Sequence, residues 1–206
     1  MRNLRRLSTA AMLSAVLLGT ALPASAATRV EPLKLDDCGL PAHWAAPYAC
    51  DLKHQAIMQG DQSGFRFDDM VTRAEFVTLL VRALGLTPQD GASYGDVNGH
   101  WSAGYVKAAV TAGALKVNAG EQFRPNAPIS RQDAITLLTA VLAGNKLADA
   151  DERVLAGYTD AAKINPIERK AVAFALLHSV IQGDPDKALR PDQNLSRGES
   201  AKLISV

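Results

Sequence analysis

One six-residue pattern recurs three times in this 206-residue chain and limits its fold more than any other feature. It reads Val71-Thr72-Arg73-Ala74-Glu75-Phe76, then Ile129-Ser130-Arg131-Gln132-Asp133-Ala134, then Leu195-Ser196-Arg197-Gly198-Glu199-Ser200. A Thr or Ser followed three residues later by an acid marks a helix start. The hydroxyl accepts from the backbone of the acid, and the acid reaches back to the cap N–H. Apolar residues follow at helical spacing, Phe76, Leu79, Leu80 and Ala83 in the first copy and Ala134, Leu137, Leu138 and Val141 in the second. The pattern predicts capped helices over about 72–84 and 130–143, and a third starting at Ser196.

The arginine is out of place by local rules. A cation at the first helical position faces the positive end of the macrodipole and loses roughly 0.3–1 kcal/mol. Two explanations stand. Each Arg could combine with helix N–H groups to bind an anion. Alternatively, each could pair with an acid of a neighbouring repeat and staple the units together.

A second helix precedes each capped one. His43-Trp44-Ala45 leads into a helix expected over about 44–58, and His100-Trp101-Ser102 into one over about 102–115. Asn165-Pro166 starts a third over about 166–181. Gly60 and Gly183 are read as helix stops. The inward residues expected are Ala49, Leu52, Ala56 and Ile57, then Val106, Ala109, Val110 and Gly113, then Val172, Ala175, Leu176 and Val180. Trp44 lies 29 residues before Arg73, Trp101 lies 30 before Arg131, and Ile167 lies 30 before Arg197. Three helix–loop–helix units of roughly 55–65 residues follow from this register, at 36–91, 92–157 and 158–206. A lone two-helix unit buries its faces poorly, whereas three can share one core.

The first 26 residues read differently. Arg2, Arg5 and Arg6 precede an apolar run over 10–22, and Ala24-Ser25-Ala26 is a small-x-small cleavage signal. A secretory signal peptide over 1–26, then a short leader over 27–35, is expected. The apolar run is short for a bilayer span. Removing residues 1–26 takes away three of 22 basic residues and no acids, leaving 19 against 21 acids, or −2. That balance excludes nucleic-acid or anionic-membrane binding by bulk charge, so any anion recognition must be local. Export also permits a disulfide, and Cys38 and Cys50 are expected to pair. A metal at these cysteines lacks further ligands in the nearby sequence, and His54 and His178 have no partner at metal spacing.

The pattern of Asp, His-Trp-Ala, an amphipathic helix, Gly, Phe-x-Pro and Thr-Arg-Ala-Glu, carried in altered form through three tandem copies over 36–206, resembles the S-layer homology family. The resemblance implies an all-α fold of three repeats packed as a pseudo-threefold trimer around a shared helical core. It implies non-catalytic, cofactor-free attachment at the cell wall, without membrane insertion. The implied ligand is a secondary cell-wall polysaccharide bearing pyruvylated N-acetylmannosamine, or a peptidoglycan-linked glycan. By position, Arg73, Arg131 and Arg197 would bind the pyruvyl carboxylate, while Trp44 and Trp101 would stack on the sugar. Gly60 and Gly183 would allow close backbone approach. Asp96 and Asp160 would hydrogen-bond hydroxyls or orient an Arg, as would Asp37. Ile167 in place of Trp, and Val117-Asn118 in place of Gly, imply unequal grooves.

Bland readings stand beside these. Trp44 and Trp101 could be core anchors. His43 and His100 are read as packing or capping residues. Asp61, Asp68 and Asp69 read as turn residues rather than a glycosidase pair. No Ser-His-Asp order, phosphate loop or zinc signature is present. A cell-surface protein–protein scaffold using the same grooves is the alternative to glycan anchoring.

Overall fold

The capped helices start where the hydroxyl–acid spacing places them. A computed structural model describes residues 38–206, so the expected signal peptide, the leader and Asp37 lie outside the described residues. Thr72 Oγ1 accepts from Glu75 N at the head of α2 (Arg73–Ala83), and Ser196 Oγ accepts from Glu199 N at the head of α6 (Arg197–Ile204). In both, the glutamate returns to the cap N–H at 2.8 Å, completing the capping box. Ser130 caps α4 (Arg131–Ala143) in the same way from its side, but Asp133 is one methylene shorter and makes no return bond.

The first helix of each repeat is shorter than its periodicity suggests. They are α1 (Ala46–His54), α3 (Ala103–Thr111) and α5 (Arg169–Leu177). None runs on to Gly60 or Gly183. Each is stopped by a left-handed residue, Ala56, Gly113 or Ser179, with φ between 57° and 79°. The next amide then bonds five residues back, Ile57 N to Leu52 O, Ala114 N to Ala109 O and Val180 N to Ala175 O, at 2.8–2.9 Å. That is a Schellman closure. Only Gly113 advertises it. Ala56 and Ser179 are carried into this conformation by the packing of the chain after them, and Ala56 is exposed rather than inward. The charged connection after α4 forms 3₁₀ turns at Gly144–Asp149 and Glu152–Gly157, and Arg169 pairs with Glu152 at 3.0 Å.

Helices pair across repeats: α1 packs on α6, α3 on α2 and α5 on α4. The residues just before the three caps join them at the centre. Val71 N donates to Leu195 O, Leu195 N to Ile129 O and Ile129 N to Val71 O, at 2.9–3.0 Å. Each residue donates once and accepts once, so the ring closes. The ring is fully buried together with Phe65, Phe76, Phe123 and Leu80. The next layer repeats the exchange: Arg73, Arg131 and Arg197 amides bond the carbonyls of Ala127, Gln193 and Asp69. The orphan N–H groups at each helix start are therefore consumed by another repeat. Among the described residues the fold is helical, with isolated bridges in place of strands, and no helix is long and apolar enough to cross a membrane.

Candidate functional site

The cross-repeat pairing builds clefts from all three repeats. The larger, about 890 Å³, is lined by Trp44 and Tyr48 of the first repeat, Arg131 of the second, and Gly183 and Lys202 of the third. A second, about 240 Å³, takes Trp101 from the second repeat, Arg197 from the third, and Gln59 and Arg82 from the first. Trp44 is 54% and Trp101 59% exposed, so neither indole is a core anchor. Each lies beside a histidine, with ring centroids 5.4 Å apart. Those histidines hold the chain. His43 stacks on Phe67 and accepts from Ala45 N, while His100 accepts from Ser102 N and bonds Asn126.

The three arginines have different surroundings. Among the described residues, the Arg131 guanidinium has neither a hydrogen bond nor an ion pair. Burial lowers its pKa, and nearby Glu199 only partly offsets that. Glu199 itself is committed to the cap of α6. Asp184, on the same wall, is taken by Arg190. Arg131 and Lys202 thus share the wall of the larger cleft with Glu199 and Asp184, and neither acid pairs with the Arg131 guanidinium. Arg197 is held by carbonyls, with Nε on Phe65 O and Nη2 on Gln59 O, both at 2.9 Å, and its charge lies 5.2 Å from the Phe65 ring centroid. Burial lowers its pKa as well, and among the described residues no carboxylate pairs with it directly.

Arg73 differs. Its Nε donates to Phe123 O and its Nη1 to Asp133 Oδ2, both at 2.8 Å, and its side chain is 15% exposed. The staple is therefore realised for this one arginine. Glu168 follows Ile167 where the other repeats place the small residues Ala45 and Ser102. It is buried, and burial followed by a hydrogen bond and charge repulsion from Asp133 pushes its pKa up to about 8. Ile167 itself is 84% exposed. The third set of residues thus presents an internal carboxyl–carboxylate–guanidinium cluster.

The glycines and aspartates serve the frame. A Cβ on Gly183 would lie 2.2 Å from the Tyr158 ring, and one on Gly60 would lie 2.8 Å from Gly64 O. Both positions need glycine for internal packing. Asp96 accepts from Phe123 N and Arg124 N, and Asp160 from Leu189 N and Arg190 N, at 2.6–3.0 Å. Arg124 and Arg190 are left-handed, so each aspartate pins a strained turn. Burial opposes the charged form of each aspartate, but the two amides outweigh it and the pKa falls.

Cys38 and Cys50 form a disulfide with Cα atoms 5.6 Å apart. His54, expected to stand alone, has Nε2 3.3 Å from Cys38 Sγ and 4.0 Å from Cys50 Sγ. The four-residue spacing of Cys50 and His54 on α1 was the sequence signal for this contact, while Cys38 arrives from the loop before α1.

Three interlocked helical repeats with clefts lined by arginine and tryptophan define a surface-binding module. The family profile described as "S-layer homology domain" matches residues 40–77, 93–135 and 157–201, and the chain belongs to that family. Membership goes with a secreted, cell-surface location and an anchoring role. The chain is 30% identical over 166 residues to an endoglucanase of Bacillus sp. strain KSM-635, covering 79% of this chain and 17% of that protein. It is 32% identical over 108 residues to a cellulosome-anchoring protein of Acetivibrio thermocellus, covering 49% of this chain and 24% of that one. It is 27% identical over 202 residues to the S-layer protein sap of Bacillus anthracis, covering 94% and 23%. The chain therefore spans a quarter or less of each of these relatives.

Proposed function

We propose that the chain holds a cell wall non-covalently by binding an acidic wall glycan in the clefts of Arg131 and Arg197. One observation carries this. Each cleft sets a guanidinium, without a carboxylate partner among the described residues, beside a half-exposed indole from a different repeat. A sugar with an acidic substituent suits that pairing. The carboxylate takes the guanidinium, and the apolar sugar face lies on the ring. Pyruvylated N-acetylmannosamine has this chemistry, with its ketal carboxylate held rigidly against the pyranose. Two clefts on one rigid frame also raise avidity along a repeating polymer without new contacts.

The test is co-sedimentation of the protein with purified wall material before and after acid release of the pyruvyl groups. Arg131→Ala and Arg197→Ala should each weaken binding while leaving helix content unchanged. Binding that survives removal of the pyruvyl groups would favour a surface protein–protein scaffold using the same clefts.

A further inference from the structure

A second cluster of ligand-type side chains lies outside the clefts. Cys50 and His54 are four residues apart on α1, so they share one face of the helix. Cys38 comes from the preceding segment, and both sulfurs are buried while His54 is exposed. The two sulfurs and the imidazole nitrogen all lie within 4.8 Å of one another. Tetrahedral zinc, with bonds of about 2.3 Å to sulfur and 2.0 Å to nitrogen, sets its ligand atoms about 3.5–3.8 Å apart. The sulfur–nitrogen separations of 3.3 and 4.0 Å bracket that range. Lys53 Nζ donates to Cys38 O at 2.7 Å, tying the Cys38 backbone to α1.

We propose that Cys38, Cys50 and His54 form a binding site for one thiophilic divalent cation of the zinc type when the disulfide is reduced. An external dithiol reduces the bond and is itself oxidised to a cyclic disulfide. The two thiols then lose their protons as the metal binds, and the sulfurs separate by side-chain rotation. His54 coordinates through Nε2, which requires its remaining proton on Nδ1. Its exposed side leaves the fourth position to water. The site is therefore redox-gated: the oxidised clip excludes the metal, and the metal protects the reduced one.

Cobalt(II) titration of the whole exported chain tests this, with one sample oxidised and one reduced and freed of reductant under argon. The reduced protein should bind one equivalent, with the visible bands of tetrahedral cobalt and a thiolate charge-transfer band, and zinc should displace it. The oxidised protein should bind none. His54→Ala, which keeps both thiols, should lose the tetrahedral bands and weaken binding at least tenfold, the scale expected when part of a metal site is removed. Circular dichroism follows the fold in parallel. Absence of cobalt bands in the reduced wild type overturns the proposal. So does equal binding with and without His54, whether the reduced chain keeps its helices or loses them.

Discussion

Asp133 Oδ2 holds Arg73 Nη1 at 2.8 Å across 60 residues of sequence. The contact exists because Asp133 is too short to complete its own capping box, which frees its carboxylate to reach another repeat. Asp133→Asn should therefore cost stability beyond a surface substitution, by about 1–2 kcal/mol for a partly buried pair. Urea unfolding at neutral pH reads it. The Ser130 cap bond to the residue-133 amide is retained.

Stability should also fall with rising pH through the same cluster. Folded Glu168 keeps its proton up to about pH 8, whereas an ordinary glutamate releases it near 4.5. Between those values the folded state binds more protons than the unfolded one, so raising the pH favours unfolding. The melting temperature should be highest below about 4.5 for this group and decline as pH passes through 8. Glu168→Gln should flatten that slope. An unchanged profile in the variant would show that the titration lies elsewhere.

Trp44 separates binding from folding. With its ring 54% exposed, Trp44→Ala should change stability by less than about 1 kcal/mol. The same variant should lower wall co-sedimentation, because the stacking wall of the larger cleft is gone. A large drop in melting temperature would return the indole to a packing role.

Gly183→Ala should do the reverse. The added methyl would meet Tyr158 at 2.2 Å, so the ring or the loop must shift. Overpacking of this kind costs typically about 1–3 kcal/mol. Differential scanning calorimetry should show the loss before any glycan is added, and Tyr158→Ala in the same chain should recover part of it.

Reducing the Cys38–Cys50 bond should lower the melting temperature. A loop with a sequence separation of 12 is worth roughly 2–3 kcal/mol on the chain-entropy account. The Cys38→Ser, Cys50→Ser double variant should match the reduced protein in the absence of metal.

Much of this was legible from spacing alone. Hydroxyl–acid capping acts over three residues, so Thr72, Ser130 and Ser196 mark the helix starts whatever surrounds them. The repeat count follows from the register of Trp44, Trp101 and Ile167. Helix ends were not legible, because Ala56 and Ser179 take a left-handed conformation that their side chains do not favour. Nor were the partners of the charged groups. Identical arginines at identical register end in a carbonyl cradle, an open cleft and an ion pair. Local sequence determined where each arginine starts a helix. Only the closing of the three repeats on one another decided what each faces, because charges and ligands act through space between residues the chain holds far apart.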